Sequence, residues 1–371
     1  MRRLERRIAG FGSTLLAVVC AQAAVADDVD PGTVDVGSQG RTIRVLLGEG
    51  VDPVRVKLPG GKVTTLRAVG AGLTAGGKPV GPVWRQEAAV LEVGDLRVRG
   101  GIEVRRAGDG LQLINRVPLE SYVAGTLGRE IYPGWDEETL KAQAVATRTY
   151  ALHHALGRRS APVDVEATSR FQVYGGLTAE SPAVVQAAQA TRDEVLVWDG
   201  KPILAVFHSS SGGQTASSEE VWGRALPYLV SRPVENEEDS PDTYWRTTIS
   251  GTKLGRALAP LGVRVGPVRG LRVAERSPSG RVRTVQVLGR DGEKTIEARD
   301  LREALGAKVI RSTLFETRMT PAGIVIVGSG HGHGVGMSQW GAEAMAQRGA
   351  GYREILAHFY PGTRLEKGDV Q

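Results

Sequence analysis

The chain has 371 residues and a formal net charge of +6, with 41% hydrophobic, 24% charged and only 5% aromatic residues. No block of Lys and Arg is interleaved with aromatics, which argues against nucleic acid as a partner. Forty-nine Gly and 18 Pro imply many turns between short strands.

In chain order, Arg2, Arg3, Arg6 and Arg7 make the start positive, and Phe11 to Ala26 is mostly apolar or small. Ala24-Val25-Ala26 has the form of a cleavage site, so residues 1–26 read as a secretory signal peptide. The run is too short and wrongly flanked for a membrane span, the alternative being an anchor that is never cleaved. Cleavage there removes Cys20, the single cysteine, and with it any disulfide, thiolate zinc site or cysteine nucleophile. It also removes four Arg and one Glu, half of the net charge. What remains is expected to be a soluble protein of the periplasm or cell wall, with no second apolar stretch of spanning length. Its mildly basic balance suits an anionic wall polymer.

Residues 27–40 are polar and without periodicity, as in a linker. From 41 to 107 the pattern has period two: Ile43, Val45 and Leu47, then Val54, Val56 and Leu58, then Leu91, Val93, Leu96 and Val98. That region is predicted to be antiparallel β. Pro118 is expected at the first position of a short helix, and Asp136 to cap a long one running to about Leu156. Another helix is expected over 183–192. Val195–Trp198 and Ile203–Phe207 read as a hairpin around Asp199-Gly200. Residues 236–316 form a small inserted α/β unit, with helices near 253–261 and 299–305 around strands at 271–275 and 281–288. The closing part, 317–371, holds a strand at Ile324–Val327 and two helices from Met337 and Tyr352. The fold class is α+β: a β-rich region at 41–107, a mixed core at 108–235 and 317–371, and the insertion between.

Four segments carry candidate chemistry. Glu120 reads as a helix-start carboxylate. Glu130 falls in a turn between two helices, before Pro133-Gly134. There it is either a solvated loop side chain or a general acid. Lys141 and Arg148 project within roughly 20° of each other on the long helix. They either hold a ligand or lie on a solvated face, and cations near Glu130 would lower its pKa. His208-Ser209-Ser210-Ser211-Gly212-Gly213 is a loop rich in donors and acceptors. It suits carbohydrate better than a serine nucleophile, because the Gly-x-Ser-x-Gly elbow is absent. His331 and His333 alternate on a Gly-rich run. Metal is possible by spacing, yet no third ligand is fixed. Close approach of the glycines to backbone or ligand is the other reading. Ser338, Gln339 and Trp340 open a helix suited to sugar hydroxyls and stacking.

Taken together, Val117–Gly125, Arg129-Glu130-Ile131, Leu140–Tyr150, the His208–Gly213 loop, His331–Gly341 and Ile355–Thr363 resemble the stage II sporulation protein D / amidase enhancer LytB family. The resemblance implies action on peptidoglycan outside the cytoplasm. Sporulation members are lytic transglycosylases that cut glycan strands already stripped of stem peptides. Their catalytic glutamate sits in the Glu-hydrophobic-x-Pro context that Glu130-Ile131-Tyr132-Pro133 matches. Gly128-Arg129 departs from the small residues usual before it. Other members enhance a cell-wall amidase and need not cut anything. Some bind zinc through Cys and His; without the cysteines that role is not carried over, so no metal and no cofactor is expected. The implied site has Glu130 as acid and base. Lys141, Arg148, Tyr150, His208, Ser209, Ser210, Gly212, His331, His333, Ser338 and Gln339 would bind substrate.

Overall fold

The period-two runs do form strands. In the computed structural model, which describes residues 41–168 and 171–367, Ile43 and Val45 are wholly buried, and so are Val56 and Leu66. The expected signal peptide, the linker and Cys20 lie outside the described residues. The chain divides into one unit of residues 41–135 and 143–195 and another of 136–142 and 196–366. Of the long helix, residues 137–142 fall in the second unit and 143–157 in the first.

Two sheets build the first unit. One has the strand order Val165–Glu166, Thr42–Val51, Gly110–Pro118, Gly101–Ala107, Val83–Glu87; the other has six strands from residues 54–98. Thr42–Val51 and Gly110–Pro118 pair antiparallel, with Ile43 opposite Val117. Pro118 is still extended (φ −55°, ψ 140°) and ends that strand. Helix α1 therefore starts one residue later than expected, as Leu119–Glu130. Helix α2, Glu137–Gly157, is capped as expected: Glu138 N–H donates to Asp136 Oδ1 at 2.9 Å. Its middle is not amphipathic, for every residue from Ala142 to Leu152 is buried. The sequence there supplies mostly small residues, Ala, Thr and Val, with Arg148, Tyr150 and Leu152 as the large side chains. Helix α3, Pro182–Ala190, packs against α1.

The second unit opens on a hairpin with the expected turn at Asp199-Gly200, but its return strand is Lys201–Pro202; residues 203–206, expected to continue it, form no strand. Val197 faces Pro202 and Trp198 faces Lys201. Asp199 and Gly200 both take positive φ, 50° and 69°, as a tight primed turn requires. The unit continues with helix α4 (Ser218–Trp222), helix α5 (Gly251–Leu258), helix α6 (Ala298–Leu305) and two three-stranded antiparallel sheets. Three strands, Trp245–Ile249, Glu293–Glu297 and Phe315–Thr320, were not expected; they are short or strongly polar, so alternation alone does not reveal them. Helices α7 (Gln339–Gln347) and α8 (Tyr352–Phe359) close the unit. Among the described residues, no helix is long and apolar enough to cross a membrane.

Candidate functional site

Glu130 is the last residue of α1, not a residue of the turn. The helix runs that far because Gly128 lets it pass the 3-10 turn Gly176–Ala179: a Cβ on Gly128 would sit 1.8 Å from the Ala179 carbonyl oxygen. Ile131 is extended and buried, which turns the chain away. Val173 N–H donates to Glu130 Oε1 at 2.5 Å. Desolvation dominates the carboxyl and pushes its pKa up to about 7, against the opposing pull of the Val173 amide. Around it stand aromatic groups. Burial raises the Tyr122 and Tyr150 hydroxyls, Tyr150 to about 12, and both feel the Glu130 charge. Tyr150 packs on His154 at 4.4 Å between ring centroids, and His154 on Phe171 at 5.3 Å.

The two cations of α2 are engaged elsewhere. Arg148, wholly buried, forks onto Glu120: Nε to Oε1 at 2.8 Å and Nη2 to Oε2 at 2.5 Å. It also caps the carbonyls of Ala188 and Glu194. Arg148 thus spends its donors on internal partners, and Glu120 is the partner of a buried guanidinium, not merely a helix-start charge. Lys141 bridges Glu137 and Glu138 at 2.7 and 2.8 Å, and these two carboxylates raise its pKa. The expected conflict, cations depressing the Glu130 pKa, does not arise from Arg148.

In the second unit the Ser-Gly loop and the His-Gly run come together. Phe207-His208 pairs in parallel with Met337-Ser338, and Ser210 exchanges both backbone hydrogen bonds with His331. Gly336, at φ 72°, passes so close to Val206 that a Cβ would lie 2.1 Å from its carbonyl oxygen. Close approach therefore explains the glycines. The loop donors are taken. Glu237, 6% exposed, accepts from Ser211 N–H and Oγ–H, from Gly212 and Gly213 N–H, and from Ser338 Oγ–H. A nest of amides of the kind that binds anions is filled by the protein's own carboxylate. This corrects the expectation that Gly212 and Ser338 offer donors to sugar.

Burial pushes His208 well below its ordinary pKa and His333 down to about 4, with Arg281 acting in the same direction on both. His208 Nδ1 meets the Val335 carbonyl at 3.1 Å, and His333 Nδ1 accepts from Val335 N–H at 3.0 Å. His331 Nδ1 lies 2.9 Å from Asp242 Oδ2, and Asp242 also holds Arg311. Ser210 Oγ is buried without a hydrogen-bond partner, so it lacks the base that a serine nucleophile needs. Ser210 and Gly212 line a cleft of about 420 Å³ with Glu235, Asn236, Glu238 and Ser329. Ser209 accepts from Trp340 N–H through its carbonyl, and Gln339 is buried at the start of α7. No group of three or more His, Cys, Asp or Glu among the described residues is arranged to hold a metal.

Sequence reasoning missed Gln172, Val173, Asp242, Glu237 and Arg281. The one available signal was the Gln172-Val173-Tyr174 alternation before Gly175-Gly176, which marks a short extended segment.

Residues 107–198 match the family model described as stage II sporulation protein (SpoIID), and residues 218–336 match one described as a domain of unknown function. An uncharacterized protein of Brachyspira hyodysenteriae is 37% identical over 76% of this chain and 77% of its own. Stage II sporulation protein D of Bacillus amyloliquefaciens is 34% identical over 69% of this chain and 76% of its own. The amidase enhancer of Bacillus subtilis is 29% identical over 65% of this chain, but that covers only 40% of the enhancer. With the family model matched over residues 107–198 and a relative 34% identical over 69% of this chain and 76% of its own, the chain belongs to the stage II sporulation protein D / amidase enhancer family.

Proposed function

We propose that the protein is an exported lytic transglycosylase acting on peptidoglycan strands stripped of their stem peptides, with Glu130 as general acid and then base. The observation that carries this reading is a carboxyl at a helix end whose burial lifts its pKa to about 7. A group poised there is half protonated at neutral pH, where both a donor and an acceptor are needed. Hydrolysis by an ordinary glycosidase uses a second carboxylate to activate water or attack the sugar. In a lytic transglycosylase the 6-hydroxyl of the muramic sugar attacks its own anomeric carbon. The glycosidic C–O bond breaks, the leaving oxygen takes the Glu130 proton, and Glu130 recovers a proton from the 6-hydroxyl. One carboxyl suffices and no water is consumed.

Glu130→Gln keeps the shape but cannot give up a proton. Its cleavage of denuded strands, followed by mass analysis of 1,6-anhydro ends, is expected to fall about 10²–10⁴-fold with binding retained. An unimpaired variant beside an active wild type overturns the assignment. A second reading, a wall-bound partner that stimulates an N-acetylmuramoyl-L-alanine amidase and cuts nothing, is favoured by the likeness to the amidase enhancer. It is the outcome if the wild type cleaves no glycan yet accelerates the amidase.

A further inference from the structure

Glu130 is held by a backbone amide, and an amide is only as well placed as the segment that carries it. Residues 172–174 alternate: Gln172 and Tyr174 are buried, while Val173 turns the other way and meets Glu130. Tyr122 O–H, within α1 and wholly buried, donates to Gln172 Oε1 at 2.8 Å. The Tyr122 ring stacks on Tyr174, with centroids 5.4 Å apart and an 18° tilt between planes. Tyr174 O–H in turn donates to Asn115 Oδ1 at 2.8 Å, and Asn115 Nδ2 is fixed to the carbonyls of Arg99 and Gly101. The helix that ends in Glu130 therefore also grips the segment that restrains Glu130, eight residues earlier on the same rod.

We propose that Tyr122 and Gln172 are positioning residues for Glu130, their buried hydrogen bond holding the Val173 amide against one carboxyl oxygen and so aiming the acid. This rests on the reading of Glu130 as the acid. An amide donated to Oε1 places the proton of the acid form on Oε2, and it stabilises the carboxylate once that proton has left. Tyr122 and Tyr150 both feel Glu130, and burial keeps both neutral at working pH. Neither competes with the amide as a source of charge.

The test is Tyr122→Phe, which deletes one hydroxyl and keeps the ring stack. Two readouts are taken: the Glu130 carboxyl midpoint by carbon NMR, and the pH profile of strand cleavage. Loss of the restraint removes a bond to the charged form, so the midpoint and the alkaline limb of kcat should both rise by about half a unit or more. The kcat should fall about tenfold or more with KM within about twofold, because aim is lost and binding is not. A folded variant with unmoved midpoint and unmoved limb overturns the proposal, whatever its melting temperature does. If the phenylalanine chain does not fold, Gln172→Met removes the same bond and is judged by the same two readouts. The NMR midpoint needs no turnover. A wild type that cleaves nothing would sink the acid reading, while the midpoint would still decide whether Tyr122 and Gln172 position Glu130.

Discussion

A carboxyl lifted to about 7 helps chemistry at neutral pH and harms stability there. Its ordinary value, and its value in the unfolded chain, is 4.5. Between 4.5 and about 7 the folded protein keeps a proton that the unfolded chain has released. Stability from this group is therefore complete below 4.5 and declines as pH rises through about 7. Glutamine has no proton to lose. Glu130→Gln is thus expected to melt above the wild type at pH 8, with the gap closing toward pH 4. A gap that stays constant across a series of melting curves would mean that the site does not desolvate the carboxyl. The same burial logic makes His208 and His333 neutral scaffold groups at physiological pH.

Among the elements, α1 and α2 are joined by a buried ion pair. Arg148 and Glu120 have side chains 0% and 8% exposed. Removing one partner of such a pair leaves a charge without compensation, typically at a cost of about 3–5 kcal/mol. Glu120→Gln should lose that order of stability in urea unfolding. A joint replacement, Glu120→Leu with Arg148→Met, should recover most of it, since paired apolar groups avoid the desolvation of both ions. Lys141→Ala, which breaks only partly exposed bridges, should cost under about 1 kcal/mol. If Glu120→Gln behaves like Lys141→Ala, the pair is not held as described. Helical spacing correctly set Lys141 and Arg148 near one line of α2, yet it said nothing of their partners. Those of Lys141 lie three and four residues away on the same helix, but those of Arg148 come from 28 residues upstream and from carbonyls about 40 downstream, through-space facts that periodicity does not carry. Conversely, Asp136 as a cap and Asp199-Gly200 as a primed turn were legible, because each is a local demand on one or two backbone angles. Glu130 was legible as a residue through the resemblance, but its place at a helix end depends on Gly128 passing the Ala179 carbonyl.

At the scale of the molecule, each unit closes its own core. In the second, Trp245, Ile249, Leu254, Val285, Leu301 and Ile326 belong to one buried cluster that no single run of the sequence outlines. The loop that joins this unit's His-Gly run was read as a set of free donors and is instead locked onto Glu237. That lock gives the protein an internal timer. Ser211, Gly212 and Gly213 are three consecutive amides bound to one carboxylate, with Ser211 Oγ as a second acceptor for Gly213, so withdrawal of Glu237 frees them together. They should exchange at a shared rate, slow like the amides of the neighbouring strands, and that rate reads the opening of this loop directly. Glu237→Ala should make all three fast at once. Fast, unequal exchange in the wild type would show that the loop breathes independently of Glu237.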